Sequence, residues 1–150
     1  MPQTTPLAGG TGTPYITNSD LNMPDDLLIQ LTDDEGTGAV NQPRVDDAIL
    51  KAEALIDSYC GKRYLVPFTA APIIVKDLAA TIARYKLYSR RALVSDDMAA
   101  LYKDAVKTLT DISLGKASLG VDPIPQGSSE VGGVISGPER IFGRDKMGGF

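Results

Sequence analysis

The sequence contains no histidine and a single cysteine, Cys60. Without histidine, the commonest general base and metal ligand near neutral pH is missing. One cysteine permits no internal disulfide, which fits a chain made in a reducing cytoplasm. Cys60 sits where a helical pattern ends, and a helix C-terminus does not favour a thiolate. It therefore reads as a small core residue rather than a nucleophile. No apolar run approaches the ~20 residues of a membrane span. The N-terminus also lacks the basic and apolar regions of a signal peptide. No membrane partner is expected.

Other catalytic and cofactor signals are equally thin. Asp25-Asp26 and Asp96-Asp97 look like helix N-terminal pairs. The loop Asp33-Asp34-Glu35-Gly36-Thr37-Gly38 lacks the alternating oxygen ligands and closing glutamate of a calcium loop. Gly9-Gly10-Thr11-Gly12 has no preceding strand, no following helix and no closing Lys-Ser/Thr, so it is not a phosphate loop. No catalytic, cofactor or metal residues are assigned, and the chain does not read as an enzyme.

What is present is a small body between two arms. Residues 1–14 hold three Pro and three Gly, and residues 120–150 hold eight Gly and three Pro. This leaves residues 15–119 as the folded domain, with a flexible N-terminal arm before it and a linker and tail after it. Inside that domain the apolar spacing is helical. Thr17 or Ser19 can cap a short helix through Leu21, and Pro24 with Asp25 and Asp26 starts another. From Arg44 to Cys60, Val45, Ala48, Ile49, Ala52, Leu55, Ile56 and Tyr59 mark one face. Asp46 and Asp47 suit its positive N-terminal end, and Gly61 suits the position after its C-terminus. Tyr64 to Phe68 reads as an extended connector. Pro72 opens a helix from Ile73 to about Arg91, with Ile74, Leu78, Ile82 and Tyr85 as its stripe. Ser95-Asp96-Asp97 caps a last helix to Leu114, with Met98, Leu101, Tyr102, Ala105, Leu109 and Ile112 buried. The expected fold is all-α, a small helical bundle with an extended N-terminal arm and a long C-terminal tail.

Charge is segregated along the chain. Residues 15–57 carry ten acidic and two basic side chains, and residues 62–91 carry seven basic and one acidic. Such a chain can pair its halves internally, or pack head-to-tail against copies of itself in a ring. Arg84, Arg90 and Arg91 against Asp46 and Asp47 are the candidate subunit-interface residues. The tail combines Arg140, Ile141, Phe142, Arg144, Asp145, Met147 and Phe150 with glycines. Apolar and arginine anchors behind a Gly/Pro-rich linker suit a segment that orders on a partner. A basic, tyrosine-containing middle also admits a second reading, a DNA-binding helical packaging or regulatory factor. The acidic overall balance of -4 weighs against an autonomous DNA binder.

Several stretches together carry a resemblance. They are Tyr15-Ile16-Thr17 with Asp20-Leu21, then Leu28 to Asp33, then Ala52 to Tyr59 with Gly61, Arg63-Tyr64 and Val66-Pro67. Asp77-Leu78, Ile82 to Tyr85, Tyr102 to Ala105, Leu114-Gly115-Lys116, and the tail's Arg144 to Met147 and Phe150 complete the set. This ordered set resembles the Mu-like phage neck protein family (gp36-type), similar to head–tail connector proteins of long-tailed phages. The resemblance implies a structural adaptor or head-completion ring, a dodecamer matching the portal it lies beneath. It implies the next neck or tail-completion protein as a further partner, and DNA passing through the lumen without specific binding. It also implies a place in the virion neck after synthesis in the host cytoplasm. The sequence departs from the family in its N-terminal arm and in the linker from Asp122 to Gly137.

Overall fold

The computed structural model describes residues 13–125. A 3-10 turn, Asn18–Leu21, is followed by α1 (Asp25–Thr32), α2 (Gln42–Cys60), α3 (Ile73–Arg90) and α4 (Asp96–Ser113). No strand occurs among the described residues. The fold is all-α, and the helix starts follow local chemistry. Asp20 accepts the Thr17 N–H and hydroxyl at 2.7 and 3.0 Å and closes the first turn. Pro24 precedes α1, whose first turn holds Asp25 and Asp26. Pro72 precedes α3, and the Ser95 hydroxyl accepts the Met98 N–H at 3.3 Å to cap α4.

α2 begins at Gln42, with Pro43 in its first turn. Asp46 and Asp47 consequently fall in the second turn, past the first turn where a carboxylate gains most from the positive N-terminal end that the sequence reading gave them. Gly61 ends α2 with φ −60° and ψ −14°, still right-handed. Its absent side chain serves close approach instead. A Cβ there would lie 2.9 Å from the Asp57 carbonyl oxygen and 3.2 Å from Val66 Cγ2.

α3 packs most extensively on α2 and also touches α1, α4 and the 3-10 turn. Val75, Leu78, Ala79, Ala80, Ile82, Ala83 and Leu87 are its buried residues. This shifts the expected stripe. Leu78 and Ile82 are in the core, but Ile74 is exposed and Tyr85 is only partly covered. Ile73 is 86% exposed. On α4, Ala105, Leu109 and Ile112 are buried, while Leu101 is 57% exposed, against expectation. The reason lies in the alanines. Ala79, Ala80 and Ala83 lie on the packed face of α3, which leaves Ile73 and Ile74 off it. Val45, Ala48, Ile49, Ala52, Ile56 and Cys60 form the buried face of α2; Leu55 and Tyr59 pack at its edge. Thr32, the buried polar residue of the core, donates to the Leu28 carbonyl at 2.7 Å and accepts from the Asn41 N–H at 3.1 Å.

Substituting Ile56 by Asp should cost several kcal/mol and unfold the body, because the carboxylate would enter a fully buried site without a partner. Ile73→Asp should change stability by no more than ~0.5 kcal/mol. Urea denaturation followed by far-UV circular dichroism checks both.

Candidate functional site

Three polar junctions hold the body together and decide which charges remain available. The first is built on the Asp33–Asp34 loop after α1. The Asp34 carboxylate pairs with Arg44 Nε at 2.8 Å, with Arg91 Nη2 at 2.8 Å and with Arg90 Nη2. Arg90 also donates to the Leu31 carbonyl at 2.8 Å, and Arg91 to the Asp33 carbonyl at 2.9 Å. The two arginines thus satisfy carbonyls at the end of α1 while they bind Asp34. One carboxylate ties the ends of α1 and α3 to the start of α2. The Arg90 hydrogen bond, aided by the charges of Arg44 and Arg91, holds the Asp34 carboxyl below the usual carboxylate range. Asp33 next to it accepts the Thr37 and Gly38 N–H groups at 3.0 and 2.7 Å, which fixes the loop and lowers its own pKa.

The second junction straps the chain entering the body onto α2. Tyr15 donates its N–H to Glu53 Oε1 and its hydroxyl to Asp57 Oδ1, both at 2.6 Å. The same hydroxyl accepts the Phe68 N–H at 3.0 Å. Glu53 and Asp57 lie one helical turn apart on α2, so one tyrosine bridges both. Burial raises both carboxyl pKa values, and burial with the Asp57 bond raises that of the phenol. The Tyr15 and Tyr64 rings flank Phe68 at centroid distances of 5.8 and 6.4 Å.

The third junction lies at the other end of α2. The Arg63 guanidinium lies over Gly115, where a Cβ would come 1.7 Å from Nη1. Gly115 takes a φ of +76°, so its lack of a side chain serves both conformation and contact. The Tyr64 hydroxyl accepts the Leu119 N–H at 3.3 Å, and the Arg63 carbonyl accepts the Ile124 N–H at 2.7 Å. Residues beyond α4 are therefore drawn back across the turn between α2 and α3.

The candidate interface residues divide between these roles. Arg90 and Arg91 are spent within the chain on Asp34. Arg84 bonds its own helix, at 3.3 Å to the Ala80 carbonyl and 3.5 Å to the Thr81 hydroxyl, and is partly exposed. Asp46 is exposed and accepts from Gln42 Nε2 at 2.7 Å. Asp47 is exposed and pairs with Lys51 at 2.7 Å, one turn along α2. The body does not bring Arg84 to Asp46 or Asp47. Arg140, Ile141, Phe142, Arg144, Asp145, Met147 and Phe150 lie outside the described residues, as does most of the 1–14 arm. Cys60 is fully buried, and burial pushes its thiol up to about 11. Sequence reasoning missed Asp34 as a hub, Tyr15 as a strap and Arg63 as a keystone. The signal for Asp34 was its place in an acidic loop while arginines clustered at the end of a distant helix.

No group of three or more His, Cys, Asp or Glu side chains able to hold a metal ion occurs among the described residues. No described helix is long and apolar enough to cross a membrane.

A sequence model of the family described as "Bacteriophage Mu, Gp36" matches residues 15–135. The chain belongs to this family. It is 31% identical over 113 residues to the Mu-like prophage FluMu protein gp36 of Haemophilus influenzae, covering 75% of this chain and 79% of that protein. It is also 28% identical over 85 residues to Gene product J of Escherichia phage Mu, covering 57% of this chain and 59% of that protein. Membership in this phage family fits a structural or morphogenesis protein rather than an enzyme.

Asp34→Asn should lower the thermal unfolding midpoint at neutral pH. A carboxyl held below its unfolded pKa contributes stability above the ordinary carboxylate range, and the contribution fades as pH falls through the lower folded value. The two proteins should therefore converge on acidification, read as midpoint against pH. Glu53 and Asp57 act with opposite sign. Their raised pKa values favour the fold below the ordinary range, and that contribution is lost as pH rises through the folded values. Tyr15→Phe should cost about 1–3 kcal/mol, since it leaves the Phe68 N–H without its acceptor. Denaturant titration measures it.

Proposed function

We propose that this protein is a head–tail connector, a ring subunit that binds beneath the portal of a phage head and links it to the tail. The observation that carries the reading is the family match across residues 15–135, laid over a small helical body with an anchor-rich segment beyond it. In this reading the body makes the ring, a dodecamer matching the portal, and DNA passes through its lumen. Exposed Asp46 and Asp47 and partly exposed Arg84 remain available for contacts between copies. An acidic lining suits a conduit, because it does not grip passing phosphates. The protein then works in the virion neck, against the portal on one side and the next neck or tail-completion protein on the other.

The Asp34 clamp weakens the DNA-binding alternative. It withdraws Arg90 and Arg91 from the basic segment of the chain. Tyr64 is buried, and Tyr85 is stacked on Tyr102 with ring centroids 4.0 Å apart. Two of the seven basic side chains and two of the tyrosines that suggested a nucleic-acid face are thus committed to the fold, while Lys62 and Lys76 stay exposed.

The tail supplies attachment. Ile141, Phe142, Met147 and Phe150 are apolar anchors, and Arg140 and Arg144 can pair bidentately with partner carboxylates. A single tail binds weakly, but a ring presents many, and avidity makes the joint durable. Deleting residues 139–150 should leave a folded body and produce heads without tails. Phe142→Ala combined with Phe150→Ala should reproduce much of the defect, scored by electron microscopy and infectivity. Fully tailed, infectious particles from the truncated protein would refute the docking role.

A further inference from the structure

Two helices carry charge that the body does not use, of opposite sign and at matching intervals. On α4, Asp97, Leu101 and Asp104 follow one another at steps of four and three residues, so they share one helical face beside the buried Ala105, Leu109 and Ile112. Asp97 and Asp104 are exposed, and Leu101 between them is 57% exposed. No carboxylate of α4 pairs with a cation among the described residues. On α2, Arg44 and Lys51 are seven residues apart and also share a face. Arg44 reaches Asp34 through Nε while its side chain stays 45% exposed, which leaves other guanidinium donors open. Lys51 pairs with Asp47 one turn back and stays 60% exposed. Arg44 and Arg90, with Asn41, Pro43 and Asp47, line an open cleft of about 360 Å³ at the start of α2. Arg44, Arg90 and Arg91 all converge on the single Asp34 carboxylate, so this end of α2 holds an excess of positive charge.

Height matters as much as charge. The Asp34 clamp ties the start of α2 to the end of α3, and α4 starts just after that end, at Asp96. The starts of α2 and α4 therefore lie at one end of the body, and the two helices run in the same direction. Arg44 is the third residue of α2 and Asp97 the second of α4; Lys51 is the tenth and Asp104 the ninth. A rotation about an axis along the helices preserves both direction and height. It brings α4 of one copy beside α2 of another with Asp97 opposite Arg44 and Asp104 opposite Lys51. Leu101, between the two pairs, then meets the aliphatic stems of the two cations. A contact without a shift along the axis is what a closed ring needs, since a shift would give a filament. A duplex fits this face less well. Its row of phosphates would also meet exposed Asp46 and Asp47, which a single carboxylate at each cation avoids.

We infer that copies of this chain join through α4 of one and α2 of the next, side by side and parallel, with Asp97 at the Arg44 cleft and Asp104 at Lys51. The occupant of the α2 face is thus a second copy of the same protein. Exposed ion pairs add little strength each, so they set register and partner while Leu101 adds buried area. One such contact is weak, and closing a ring makes the set durable. The inference rests on the ring reading and names the faces that meet in it.

The test is sedimentation velocity of the full chain at concentrations up to about 1 mM. The unsubstituted chain should associate as concentration rises, and less so at high salt. Lys51→Glu and Asp104→Lys, both at exposed positions, should each weaken association about tenfold at low salt while the circular dichroism spectrum stays unchanged. An equal mixture of these two variants should associate as the unsubstituted chain does, because each new charge meets its opposite on the other copy. Lys51→Glu mixed with Asp97→Lys should recover only in part, since Asp97 faces Arg44 in this register. Full recovery of that second mixture would overturn the parallel arrangement. Association that neither variant weakens, or a first mixture that stays apart, would overturn the contact and leave a ring built through other faces. A chain that stays monomeric at the highest concentration would also overturn it, without touching the neck reading, which the particle itself tests. Duplex DNA binding that Lys51→Glu abolishes, with association unchanged, would assign these cations to DNA instead.

Discussion

Every element of this body rests on α3. It packs most extensively on α2 and touches α1, α4 and the 3-10 turn. Alanines make this possible. Ala79, Ala80 and Ala83 on α3, and Ala48 and Ala52 on α2, are all buried. Small residues bring helix axes together and let Leu78, Ile82, Leu87 and Ile56 fill the remaining space. Each large side chain buried in this way contributes roughly 1.5–3 kcal/mol of transfer free energy. A body of this size has few such contributions, so the seams between helices also need polar closure. Asp34, Tyr15 and Arg63 supply it at three separate points.

The helix boundaries were legible because they are set locally. Pro24, Pro72 and Ser95 act within a turn of where they stand. The face of α2 was legible because its large and small apolar residues lie on one side. The face of α3 was not, because Ile73 and Ile74 dominate any reading by size while the alanines decide the packing. The polar junctions could not be read from spacing. Tyr15 and Asp57 are 42 residues apart, and Arg90 and Asp34 are 56 apart. Only the fold brings them together. Charge segregation did foretell that the acidic front and the basic middle would meet, and at Asp34 they meet within one chain.

That meeting changes how the charges bear on function. Arginines consumed by an internal clamp cannot also grip DNA or a neighbouring subunit at full strength. Asp46 and Asp47 on α2, Lys62 and Lys76 stay exposed, and Arg84 stays partly so. Membership in the phage Mu Gp36 family fits a structural or morphogenesis protein.

The central claim is that this protein forms a ring at the junction of head and tail. The most direct measurement is an electron cryomicroscopy reconstruction of the particle neck without imposed symmetry, with the helical body fitted into the density. The account predicts twelve copies directly beneath the portal, enclosing a channel occupied by DNA. A finished particle that lacks the protein, or that carries it away from the portal, would contradict it.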